Sequence, residues 1–431
     1  MDKNYHRRKW SIWGILVLSF VAVFFHRLSI GVVSDDLIRD LGLNGKSLGN
    51  LTAMNFYAYA LMQIPVGIMV DTIGVRKICS WGTLLTGIGS ILFGLADSLL
   101  LAYAARFLVG IGTSVIIVSI MKVQSLWFKP EKFSTVSGYT SFIGNLGAFL
   151  ATVPLAYLVL SIGWRNSFLL MGASSVVIAV AIWVIVRDHP SDLGFDVLEK
   201  PTVKKDIKKG LKSVILNPHT WPPFMIMFFM VGATTAIIGL WGMPYLMQVY
   251  SITKTQAAGY LSFVSIGFVV GAPFVGRISE YLNGEIKKIL NVATIFYMMI
   301  WVYLAVMGGK PPIQQIPIIF LLIGISTIFH ILSFTNVKEV NDPDFSGSAA
   351  AIINVGEFVG GSVLSFGMGV LLDFGWRGNL VNGARIYEVH QYQLIFVIMA
   401  VMAFISFMAT LAMKGKSAKR NDLSEGNSVA L

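Results

Sequence analysis

The chain has 431 residues, of which 55% are hydrophobic and 13% charged, so it must bury apolar surface in lipid; a soluble enzyme or soluble binding module is excluded. The net charge of +11 would suit nucleic acid if it formed a patch, but it gathers in loops between apolar stretches, which is a topology signal. The single cysteine, Cys79, excludes an intrachain disulfide framework and is read as an inert helix-end residue.

A helix needs about 20 largely apolar residues to cross a bilayer core of about 30 Å. The sequence predicts twelve such spans, near 10–33, 47–70, 78–97, 100–122, 134–160, 167–187, 221–249, 256–280, 289–308, 314–336, 347–372 and 391–413. The first is of full spanning length and lacks a short apolar core followed by a small-residue cleavage site, so it is expected to be retained as helix one. The longest polar interruption, about 188–220, carries Asp188-His189-Pro190, a Lys-rich run from Lys200 to Lys212, and Asn217-Pro218. It divides the chain into an N-terminal half (1–190), a linker (191–216), a C-terminal half (217–413) and a tail (414–431). The linker reads equally as an amphipathic surface helix on the inner leaflet or a solvated tether. With the N-terminus inside, the basic residues left outside are Arg39, Lys46, Arg165, Lys254, Lys310, Arg377 and Arg385, while Arg27 and Arg106 fall within spans. All the others lie on the inner side, which predicts both termini in the cytoplasm, an inner (plasma) membrane location and some attraction to anionic lipid.

Two short loops repeat half a chain apart. Gly67–Lys77 carries Asp71, Gly74, Arg76 and Lys77, and Gly276–Lys288 carries Glu280, Gly284, Lys287 and Lys288, with one extra residue before its basic pair. Each sets a glycine turn, an acid and a basic pair between two spans, where the acid can meet loop cations or a helix N-terminus. Six plus six helices, a central linker and these loops resemble the major facilitator superfamily over nearly the whole chain. Arg106-Phe107-Leu108-Val109-Gly110-Ile111-Gly112 is similar to that family's helix-four motif, and Gly163-Trp164-Arg165 to its outer-loop pattern. The resemblance implies an all-α integral membrane fold of twelve helices in two six-helix halves, which rock about a central site by alternating access. It also implies conformational roles for Asp71, Arg76, Arg106 and Glu280. No catalytic constellation or nucleotide loop is present in the sequence, so no enzymatic activity, cofactor, metal or nucleic-acid partner is expected, and the protein is expected to be a monomer.

An ionisable side chain within a span costs at least about 2.5 kcal/mol on insertion scales, so it faces a cavity or a partner. His26-Arg27-Leu28-Ser29-Ile30-Gly31 resembles the anion:cation symporter branch, which includes sialin and the sugar-acid transporters. There an Asp-Arg pair stands at this place and the Arg contacts the substrate carboxylate. That implies the same role for Arg27, whose planar fork suits carboxylate or phosphate better than lysine; the plainer reading is an arginine snorkelling to the outer interface. His26 replaces the acid, and Thr113 stands where many of those relatives carry a glutamate, so both changes remove carboxylates implicated in proton coupling. His26 is read as a neutral hydrogen-bonding group or as one titrating near neutral pH. The organophosphate:phosphate antiporters are a second similar branch, whose site resembles paired arginines in helices one and seven. Residues 221–249 hold neither Lys nor Arg, and each uncompensated charge out of water costs several kcal/mol, which favours a monocarboxylate over a sugar phosphate.

Glu357 lies about ten residues from the inner end of helix eleven, hence near midplane at about 15 Å depth. A buried lone carboxyl can load a proton in one conformation and release it in another, or can simply stabilise packing. His330 in helix ten is its expected partner. Tyr57, Tyr59, Gln63, Asn145, Trp241 and Asn354 are expected cavity residues, because amphipathic and amide groups contact a polar solute while covering apolar wall. Gly138, Gly144, Gly147, Gly356, Gly360 and Gly361 read as close-packing helix faces. The expected function is secondary transport of a small organic anion, with protons or a counter-anion as co-substrate. The alternatives are a sugar-phosphate/phosphate exchanger, a drug or cation exporter served by Glu357, and a transporter-like sensor.

Overall fold

The computed structural model describes residues 3–194, 207–381 and 384–414, so linker residues 195–206 and the tail beyond 414 lie outside the described residues. Ten described helices are long and apolar enough to cross a membrane. One of them, Thr135–Ile185, runs for 51 residues and turns at Gly163, whose φ of 78° only glycine adopts readily, so it contains two spans. Val75–Gly94, an apolar helix of 20 residues, makes the twelfth. The predicted all-α membrane architecture is therefore observed, apart from a two-residue pairing of Leu380–Val381 with Ala384–Arg385.

Local chemistry sets the helix ends. The first span, Lys3–Val32, leads into a short helix, Ser34–Leu41, whose Asp35 and Asp36 sit at its positive N-terminal end and whose Gly42 closes it in the left-handed conformation. The second span, Gly45–Ile73, starts from a reciprocal capping box between Asn44 and Ser47 and stops at Gly74, φ 96°. Span four breaks between Leu99–Ser114 and Ile116–Trp127. Span five begins with Pro130–Leu150, and span six ends the helix Val153–Ile185. The described part of the linker forms the amphipathic helix Ile207–Leu216, which buries Val214 beside Leu211, Phe345 and Val337.

Span seven, running to Tyr250, is interrupted by two π-helical turns, Met227–Val231 and Ile237–Trp241. Span eight is Lys254–Tyr281 and span nine Ile286–Val306. Span ten passes through a 3₁₀ turn, Ile328–His330, between Ile316–Thr327 and Ile331–Val340. Span eleven is Ser346–Phe374 and span twelve Val389–Ala412.

The chain forms two compact units. The first holds Met1–Val203, Ile238–Ser262 and Ser365–Ile386, and the second Lys204–Ile237, Phe263–Leu364 and Tyr387–Leu431. Spans seven, eight and eleven thus each contribute to both. In the first unit, an apolar cluster around Trp13, Leu16, Ile120 and Trp127 forms the core beside the loop that carries Asp71. In the second, small residues set the packing: a Cβ on Gly232 would meet the Gly360 carbonyl carbon at 2.6 Å, and the position of a Cβ on Gly356 lies 2.8 Å from the Phe224 carbonyl oxygen. Spans seven and eleven approach backbone to backbone there, as lipid-embedded helices do where side chains are smallest.

Candidate functional site

Arg27 is 9% exposed, and its guanidinium lies 5.3 Å from the ring centroids of both Phe24 and Tyr59. Phe24 is one turn back on the same helix and Tyr59 comes from span two. Two rings flank the guanidinium by cation–π attraction, which strengthens as water is removed. Gln63 is buried one turn along span two from Tyr59, on the same helix face. Tyr57 is 37% exposed. Asn145 lies in Pro130–Leu150, with its side chain outside the described residues. Trp241 is buried, its indole N–H donating to the Ser365 carbonyl at 2.9 Å.

His26 turns away from Arg27. It is 1% exposed, its Nε2 stands 3.4 Å from the Ser175 hydroxyl, and its Nδ1 has no hydrogen-bond partner among the described residues. Arg106, also 1% exposed, is near enough to act on it electrostatically. The three guanidinium nitrogens of Arg106 have no hydrogen-bond partner among the described residues, and the group lies 5.8 Å from the Phe93 ring centroid.

In the second unit, Glu357 and Asn354 stand one turn apart on span eleven, both half-buried. Glu357 is close enough to His330 for a direct electrostatic interaction. His330 Nδ1 is 2.8 Å from the Thr327 carbonyl, which can only accept, so Nδ1 carries a proton and Nε2 is the nitrogen that gains or loses one. Sequence reasoning missed the hydroxyls beside this pair: Thr234 Oγ1 lies 2.8 Å from Tyr297 OH and 3.1 Å from Thr327 Oγ1.

The loop between spans two and three is tied at three points. Asp71 pairs with Lys122 of span four at 2.8 Å, the Arg76 backbone N–H donates to Asp188 at 2.7 Å, and Arg76 Nε donates to the Trp183 carbonyl at 2.8 Å. Glu280 is exposed near the end of span eight, and in the first turn of span nine Lys287 donates to the Leu411 carbonyl at 2.7 Å.

At the opposite end of the first unit, Lys254 is buried against Asp35 at 2.9 Å and is also paired with Asp36. There too the Asp373 carboxylate accepts from the backbone N–H of Gly45 at 2.9 Å and of Lys46 at 2.6 Å, and pairs with Arg385 at 3.0 Å. No local sequence signal marks the Lys254 pairs or the Asp373 bonds to Gly45 and Lys46, because their partners are hundreds of residues apart.

The sequence profile of the Major Facilitator Superfamily matches residues 15–365. The chain belongs to this superfamily. The facilitator is 24% identical over 413 residues to the probable sulfoacetate transporter SauU of Cupriavidus necator, covering 93% of this chain and 92% of that one. It is 22% identical over 402 residues to the membrane sensor protein UhpC of Escherichia coli K12, covering 88% and 90%. Among solved structures, a bacterial homolog of the human lysosomal transporter Spinster superposes with a TM-score of 0.74 at 18% identity, over 95% of this chain and 98% of that one. That likeness shows the superfamily fold, and the facilitator is a multi-pass membrane transporter.

Proposed function

We propose that the protein transports a small organic anion, a monocarboxylate or sugar acid, by alternating access of residues 1–190 against 217–413, in an inner membrane with both termini cytoplasmic. Arg27 is the anion's principal contact, supported by Tyr59 and Gln63, with Glu357 and His330 carrying proton coupling. One observation carries the reading: a permanently charged fork, nine-tenths buried within a span and flanked by two rings, is built to meet a planar anion. The sulfoacetate transporter named above, itself a probable organic-anion carrier, supports the same class.

The likeness to a membrane sensor supports a second reading, in which the same ligand is bound without being moved. Screening purified protein by thermal shift against small carboxylates, sugar acids and sugar phosphates identifies the ligand, because binding to the folded state alone stabilises it by RT ln(1 + [L]/Kd). Counterflow of that ligand in proteoliposomes then decides between the readings. Exchange that is lost in Arg27→Ala supports transport at this site, binding without exchange supports the sensor, and near-wild-type exchange in Arg27→Ala rejects the assignment of Arg27. A shift with sugar phosphates alone would favour the exchanger.

A further inference from the structure

Phe20, Phe24 and Arg27 follow one another along a single stripe of span one. The ring centroids of Phe20 and Phe24 are 5.1 Å apart with the planes inclined at 68°, and the Arg27 guanidinium stands 5.3 Å from the Phe24 centroid. Phe20 is buried, and part of what confines it comes from span five. A Cβ on Gly144 would lie 2.6 Å from Phe20 Cδ1 and would also strike Cε1, far inside ordinary carbon contact at about 3.5–4.0 Å. One turn on, a Cβ on Gly147 would lie 2.9 Å from Val21 Cα, so there span five meets the main chain of span one itself. The two glycines differ in what they touch. Main chain beside Gly147 can move only with its helix, whereas the ring beside Gly144 can turn about its own bonds. An atom added at Gly144 is therefore passed on to Phe20, and from Phe20 to the ring that flanks Arg27. Close-packed interiors transmit such strain because they hold little spare volume.

We propose that Gly144 of span five is a positioning residue for Arg27, acting through Phe20 and Phe24. This rests on the anion-contact role proposed for Arg27. The glycine leaves room for Phe20, Phe20 seats Phe24, and Phe24 flanks the guanidinium together with Tyr59.

The test needs no transported ligand. In full-length protein carrying isotopically labelled arginine, the Nε–H magnetic resonance of Arg27 is the one missing in Arg27→Lys, and ring currents from Phe24 and Tyr59 displace it from the position of an exposed arginine. Gly144→Ala should move that resonance, whereas Gly138→Ala, whose added carbon meets nothing within 4 Å, should leave it in place. In a Phe24→Leu background Gly144→Ala should no longer move it yet should still lower the melting temperature, because the clash with Phe20 persists and only the relay is gone. If Gly144→Ala does not fold, Phe20→Leu, which withdraws the middle ring, should move the resonance instead. An unmoved resonance in folded Gly144→Ala or in Phe20→Leu overturns the positioning role and leaves Gly144 as packing. So does an equal movement in Gly138→Ala, or one that is the same with and without the Phe24 ring. Near-wild-type exchange in Arg27→Ala overturns the anion-contact reading instead, and is told apart because the movement of the resonance does not depend on it.

Discussion

Arg27 and His26 are adjacent in sequence and serve different neighbourhoods, because successive residues on a helix diverge by about 100°. Arg27 meets the rings of Phe24 and Tyr59, while His26 lies against Ser175 and within the electrostatic reach of Arg106. Hydrogen bonds to charged groups contribute about 1.5–3 kcal/mol, and a lysine keeps the charge but loses the fork. Arg27→Lys is therefore expected to weaken ligand binding about tenfold and Arg27→Ala about a hundredfold, read from thermal-shift titrations. Glu357→Gln mimics a protonated carboxyl, so counterflow should survive while accumulation driven by a pH gradient disappears. Accumulation at the wild-type level in that variant would reduce Glu357 to a packing residue. Arg27, Tyr59 and Glu357 are legible as candidates because lipid makes their polarity expensive. Tyr297, Thr234 and Thr327 are not, since hydroxyls are common within spans and only the fold brings these three together.

At the scale of elements, the spans are readable from length and apolarity, and their interruptions are not. The π-turns of span seven and the 3₁₀ turn at His330 sit in stretches as apolar as their surroundings, and tertiary contacts choose those geometries. The glycines sort by their surroundings. Overpacking typically costs about 1–3 kcal/mol, so Gly232→Ala, driven into the backbone of span eleven, should lower thermal stability in detergent by that amount. Gly14→Ala meets nothing within 4 Å and should be neutral or stabilising, because alanine favours helix. Equal destabilisation by the two would mean that spans seven and eleven do not meet as described. Asp373 acts as a cap borrowed from span eleven for the first turn of span two. Asp373→Ala should cost about 1 kcal/mol, the usual penalty for a lost N-cap, with a further loss from the broken Arg385 pair.

For the whole molecule, the duplicated loops and the charge asymmetry make the superfamily legible, while the long-range ionic contacts become visible only with the fold. Asp71 is 64% exposed in its pair with Lys122, and exposed ion pairs contribute about 0–1 kcal/mol. Asp71→Asn should therefore leave the melting temperature nearly unchanged yet slow exchange more than it weakens binding, because a contact made in one conformation biases the balance between states. Unaltered flux at saturating ligand would leave the motif as a topology signal alone.

The buried Lys254 pairs and the Asp373 cap join residues 34–46 to segments from late in the chain, on the face where span one ends. Any state in which that face parts must strip Lys254 of its carboxylates and return two backbone amides to water. Under the alternating access proposed above, a ligand arriving from that side binds only the fraction of molecules already parted, and its apparent Kd is the intrinsic value divided by that fraction. If one molecule in ten is parted, the penalty is about tenfold. Lys254→Ala should accordingly strengthen apparent affinity in vesicles oriented to present this face, without touching the ligand. Part of what such an assay records as substrate preference would then be the strength of a latch that never meets the substrate.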